Sequence, residues 1–181
     1  MNFLTIVVLS GFVLFANGCN NRPNVIPKQL EGKVDRNLRY ANIKPNPESY
    51  KGKHMLLGGH VLSAERVKDG TKFELLQIPL SEDKIPAGRE AESKGRFVVI
   101  DRNGQLSDPD IFNNEKRITV VGEVLGTTTV KERDKMQLQV PLLALEQVTV
   151  WELDRVRARY WPYCGFGDSQ RWGYNGYSCY H

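Results

Sequence analysis

Three cysteines and three histidines are the scarce reactive residues in a chain of 181. Cys164, Cys179 and His181 gather near the C-terminus. As a metal set they lack a close cysteine pair of the C-x₂-C kind, and they lack a fourth ligand. His54 and His60 lie six apart in a strand-like stretch, so alternation places them on one face. Two histidines on one strand face are more often surface or core-edge residues than ligands. Nucleophile chemistry has no G-x-S-x-G elbow to rest on. Carboxylates cluster at Glu82-Asp83 and Glu90-x-Glu92, inside a charged stretch that reads as a solvated loop. A glycosidase pair depends on spacing in space, which sequence does not give. The expectation is no metal, no cofactor and no catalytic residue.

Cys19 is different, because of what precedes it. Residues 2–18 carry no charged side chain, and the apolar run from Phe3 to Ala16 has the length of a signal-peptide core. Ala16 and Gly18 lead directly into the cysteine. The arrangement resembles the lipobox of bacterial lipoprotein signal peptides. That resemblance implies cleavage before Cys19 and acylation of its thiol and new amine. Residues 1–18 then leave the mature chain. Each buried CH₂ contributes about 0.8 kcal/mol, so two or more acyl chains anchor stably where one does not. Asn20 follows Cys19, where lipoproteins kept at the inner membrane commonly carry Asp; the resemblance therefore implies outer-membrane sorting. In that oxidising compartment Cys164 and Cys179 remain as a pair. A disulfide between them closes a loop of about 15 residues, a constraint of about 3 kcal/mol. Two free thiols and an intermolecular bridge are the alternatives.

The bulk composition fits a folded exported domain. Hydrophobic residues make up 40% and charged residues 25%, which can support a core. A single long apolar run excludes a polytopic membrane protein. The 25 Lys+Arg against 21 Asp+Glu leave +4, far short of what a phosphate-bound protein carries. Export removes the chain from most nucleic acid, and no nucleic-acid partner is expected.

The elements that must position these residues read as strands. Residues 19–45 are polar and proline-interrupted: a lipidated tether and irregular lead-in, with a short helix signal near Pro27 to Gly32. From residue 46 to 153 the pattern is all-β. Strand-like stretches run from His54 to Val67, Thr71 to Leu80, Gly95 to Gly104, Arg117 to Gly126, Met136 to Val140 and Ala144 to Leu153. Asp69-Gly70 and Asn103-Gly104 mark tight turns. Gly58, Gly59 and Gly122 stand inside strands, where glycine marks bulges or sharp bends. About six short strands with internal glycines predict a small curved barrel, OB-like, with a two-sheet sandwich as the alternative.

Residues 154–181 differ from everything before them. From residue 160 onward the tail holds eight of the chain's 17 aromatic residues, and no aliphatic side chain larger than alanine. Arg155, Arg157 and Arg159 alternate just ahead of it. Together with Tyr160, Trp161, Trp172 and Tyr174 they form a candidate interaction patch for lipid phosphate, glycan or protein. Packing on the barrel is the competing reading.

The order of short motifs adds a family. Asn46-Pro47-x-x-Tyr50-x-Gly52, Gly58-Gly59, Asp69-Gly70-Thr71 with Glu74, and Pro79-Leu80 come first. Gly95-Arg96-Phe97, Asp108-Pro109, Arg117-x-Thr119-Val120-x-Gly122, Gly126, Pro141 and Trp151 follow. With the lipobox-like start, the set resembles the Slp family of outer-membrane lipoproteins across roughly residues 19–153. The resemblance implies an outer-membrane, lipid-anchored protein on the periplasmic side, with a link to starvation or envelope stress. It brings no catalytic residues. The expected function is a non-enzymatic interaction or structural module whose partners are the membrane and an envelope protein, lipid headgroup or glycan. The alternative is a periplasmic binding protein for a small molecule, glycan or peptide.

Overall fold

Alternation along the chain decides the architecture: strands whose odd or even residues are apolar must bury one face. The computed structural model describes residues 24–107, 116–131 and 137–152. It contains five strands: β1 (His54–Val67), β2 (Gly70–Ile78), β3 (Arg96–Asp101), β4 (Lys116–Lys131) and β5 (Gln137–Glu152). They close a barrel in the order β1-β2-β3-β5-β4. All neighbours are antiparallel except β3 and β5, which run parallel over Val98–Ile100 and Leu142–Ala144. A closed five-stranded barrel of this kind is OB-like, as the alternation and internal glycines predict.

The strand count differs from the sequence expectation. Stretches 136–140 and 144–153 are not two strands: from Gln137 on they form the single β5, which passes through Pro141 and pairs with β4 from Lys131↔Gln137 to Lys116↔Glu152. Proline normally interrupts a central strand. Pairing of β5 with β3 begins only at Leu142, so at Pro141 the strand is an edge on that side.

The barrel is filled. Met55, Leu57, Leu75, Phe97, Val99, Ile118, Val120, Val124 and Leu143 from the five strands form one buried cluster. Leu38, Tyr40, Ile43 and Leu106, from outside the strands, join it. Curvature at this diameter needs backbones close together. A Cβ on Gly58 would lie 2.5 Å from the Ile78 carbonyl oxygen and one on Gly122 would lie 2.7 Å from that of Ala144. Both positions require the absence of a side chain, which accounts for glycine inside two long strands.

The lead-in wraps the outside. Helix α1 (Lys28–Glu31) starts after Pro27 and ends at Gly32, where proline and glycine place a short helix. Helix α2 (Tyr40–Ile43) and a 3-10 turn at Pro47–Tyr50 follow. Ile26 and Val34 pack on Val121 from the outer face of β4. Val34 also bridges to His54.

The stretch between β2 and β3 is less solvated than its charge predicts. Ile85 is buried and packs with Trp151. The Arg117 guanidinium, itself buried, donates to the carbonyls of Pro86 (3.1 Å) and Gly88. Thr119 Oγ1 donates to the Lys84 carbonyl at 2.8 Å, and Trp151 Nε1 donates to Thr119 Oγ1 at 2.9 Å. Charged residues cover the outside of this strap, while Ile85 and the backbone carbonyls turn toward β4.

Candidate functional site

Since the barrel interior is packed, chemistry must be sought on its outer face. Two features stand there. One is a cleft, and the other is a histidine–carboxylate group.

The cleft encloses about 390 Å³ between the lead-in, β1 and the start of the strap. Ile26, Val34 and Leu38 come from the lead-in, Leu56 from β1, and Ile78 and Leu80 from the end of β2. Arg36, Arg39, Lys84 and Lys94 contribute four cations to the same lining, against one carboxylate, Asp35. The lead-in creates this cleft: Asp35 N donates to the His54 carbonyl at 2.9 Å, which ties the segment to the first residue of β1. An apolar floor beneath a basic rim suits a ligand with an apolar body and an anionic head.

The two histidines of β1 do lie on one face, and each meets a different glutamate. Six residues of strand separate them by about 20 Å, so they share no ligand. His60 is buried; its Nδ1 lies 3.3 Å from Oε1 of Glu90 on the strap, and its buried Nε2 has no hydrogen-bond partner. His54 is held on both ring nitrogens. Nδ1 lies 3.2 Å from the Gly52 carbonyl oxygen, and Nε2 lies 3.1 Å from Oε1 of Glu146. Glu123 stands opposite His54 on β4. The ligand atoms of His54, Glu123 and Glu146 all lie within 4.8 Å of one another, and among the described residues this is the group able to hold a metal ion.

Sequence reasoning missed that group, because Glu146 reaches it through a bulge. Val121 pairs with Gln147 and Gly122 with Leu145, so Glu146 is an extra residue in β5 with no partner on β4. Bulges re-aim side chains in this way. The signal available beforehand was Gly122, whose neighbourhood could have been read as the irregular one.

Elsewhere the titrating groups serve the fold. Burial pushes the Tyr40 hydroxyl up to about 12; it donates to the Arg96 carbonyl at 2.8 Å. Hydrogen bonding from Lys51 holds Glu48 below the usual carboxylate range, with help from Thr127. Arg89 does the same for Glu92.

Cys19, the pair Cys164 and Cys179, and the patch Arg155, Arg157, Arg159, Tyr160, Trp161, Trp172 and Tyr174 lie outside the described residues. So does His181.

Comparison with known proteins adds a family. The sequence pattern of the "Outer membrane lipoprotein Slp family" matches residues 17–180. An uncharacterized protein of Haemophilus influenzae (strain ATCC 51907 / DSM 11121 / KW20 / Rd) is 26% identical over 148 residues, covering 82% of this chain and 78% of its own. Among solved structures, the Saccharomyces cerevisiae mitochondrial single-stranded DNA binding protein Rim1 superposes with a TM-score of 0.33 at 9% identity, over 56% of this chain and 97% of its own. A Plasmodium falciparum SSB complex with ssDNA gives 0.30 at 20% identity, over 56% and 94%.

Proposed function

This chain belongs to the Slp family of outer membrane lipoproteins, and we propose that it acts as a non-enzymatic interaction module held at the periplasmic face by lipid on Cys19. Its role belongs to envelope maintenance under stress or starvation. The observation that carries this reading is the filled barrel: apolar side chains from all five strands occupy the interior. Recognition therefore falls to the outer face and to the aromatic tail. Arginine beside tryptophan and tyrosine in that tail suits a surface that is wet on one side and apolar on the other. Its partner is an envelope protein, a lipid headgroup or a glycan.

Two experiments test the reading. Cys19→Ala should release the protein from the membrane fraction; firm attachment of the variant would remove the lipid anchor. A photo-crosslinker in place of Trp172, in cells, should give a defined adduct with an envelope protein or polymer. Adducts confined to the chain itself would make the tail a structural cover.

A second reading, a periplasmic binding protein, draws support from the cleft. Four cations around an apolar floor fit an anionic amphiphile. Charge reversal at Arg36 and Arg39 should then abolish capture of a fluorescent fatty acid by the full-length protein. Equal capture by the variant would count against it.

A further inference from the structure

We propose that His54, Glu123 and Glu146 form a binding site for a divalent transition-metal ion, with Zn²⁺ as the best match. Three adjacent strands supply one ligand each. His54 opens β1, Glu123 is its registered partner on β4, and Glu146 stands at the β5 bulge one pairing step away. Ladder pairing holds the backbones of His54 and Glu123, and the Glu146 carbonyl accepts from Gln105 Nε2 at 3.2 Å.

The ring of His54 is oriented as a ligand. Its Nδ1 faces the Gly52 carbonyl at 3.2 Å, and a carbonyl accepts, so Nδ1 carries the proton. A backbone acceptor on the far nitrogen is the usual support of a metal-bound histidine. Nε2 lies 3.1 Å from a carboxylate oxygen of Glu146, so with the ring neutral a lone pair faces that oxygen. A lone pair facing a carboxylate needs a cation between or beside them. A proton can fill that role by making the ring imidazolium, and a metal ion can fill it by accepting the lone pair.

The carboxylates point the same way. Glu146 Oε2 is buried with no hydrogen-bond partner, although buried polar atoms are nearly always paired. The salt bridge to His54 uses only Oε1, so it leaves this second oxygen unexplained, whereas a metal ion would engage it. The two glutamates carry −2 with a neutral imidazole, which a divalent ion cancels. Ligand atoms within 4.8 Å of one another need to close by at most about 1.5 Å for bonds of about 2.0–2.2 Å in a tetrahedron. An imidazole with carboxylates selects zinc-like ions over Mg²⁺ and Ca²⁺, which prefer oxygen alone. His54 and Glu146 keep 16% and 24% of their side-chain surface exposed, so an ion can enter from solvent. Three protein ligands leave a fourth position for water or for a donor from a partner.

The test uses full-length protein in detergent, stripped with chelator, in a Cys164→Ser/Cys179→Ser background that removes thiolate ligands. Zn²⁺ is titrated in competition with a chromophoric chelator. We expect one ion per chain. Glu146→Gln and Glu123→Gln should each weaken binding by tenfold or more, since even supporting residues of metal sites are worth about 10–100-fold. His60→Gln, at the other histidine–glutamate pair, should leave affinity unchanged. Circular dichroism of each stripped variant checks folding; should Glu146→Gln fail it, Glu123→Gln carries the test. Co²⁺ substitution gives a second readout, with visible bands lost in the glutamine variants. No retained Zn²⁺ in the parent, or equal affinity in both glutamine variants, would overturn the site.

Discussion

The same strands build two unlike regions, one inside the barrel and one outside. Inside, Met55, Leu75, Phe97, Val99, Val120 and Leu143 show no exposed surface and form one apolar cluster. Outside, polar side chains of β1 and β4 engage the strap, which is not part of the barrel. Arg117 and Thr119 hold the strap, and His60 meets Glu90. His54, Glu123 and Glu146 instead converge from three strands. The difference separates two tasks. Non-directional burial closes the barrel and tolerates no functional groups, whereas directional contacts outside decide which loops lie where and which ligands converge.

Substitutions can break or sharpen that division. The largest effect should come from inside. Phe97→Ala should lower unfolding free energy by about 3–5 kcal/mol, measured by urea denaturation; a loss below 1 kcal/mol would mean the barrel is loosely filled. Next is Gly122→Val, at the boundary between the two regions. Its side chain would meet the Ala144 carbonyl, and overpacking should cost about 1–3 kcal/mol. Unchanged thermal stability would count against close backbone approach at the bulge.

Outside the barrel the expected effects are smaller and local. Arg117→Met leaves the Pro86 and Gly88 carbonyls without that donor and should cost about 1–3 kcal/mol. Hydrogen exchange should rise in residues 81–94 and stay slow in β1 to β5; a global rise would show that the strap and barrel are one unit. Tyr40→Phe removes a single hydrogen bond, for about 1 kcal/mol. Its pH signature is sharper. The folded state holds the Tyr40 proton to about pH 12, against an ordinary value of 10.0. The contribution is fully present below pH 10 and is lost as pH rises from 10 toward 12. The wild type should therefore lose stability across that window, and Tyr40→Phe should lose less.

Much of this was legible along the chain. Alternating apolar residues mark β1 to β4, Asp69-Gly70 marks the first hairpin, and Gly58 and Gly122 mark the points of close approach. An apolar leader before Cys19 pointed to the envelope, in agreement with the family. These features are local: strand period, turn preference and a signal are written within a few residues of one another.

Three outcomes were decided only by tertiary pairing. Residues 137–152 became one strand because Pro141 falls at an edge, a property of the neighbour and not of the proline. The charged stretch after β2 became a strap because buried Arg117 donates to its Pro86 and Gly88 carbonyls. Glu146 joined His54 and Glu123 because a bulge shifted the β4–β5 register by one residue. Register is a relation between two segments far apart in sequence, and a slip of one residue sends a side chain to the other face. No window of a single strand contains that information, so the histidine–carboxylate group exists only once the barrel has closed.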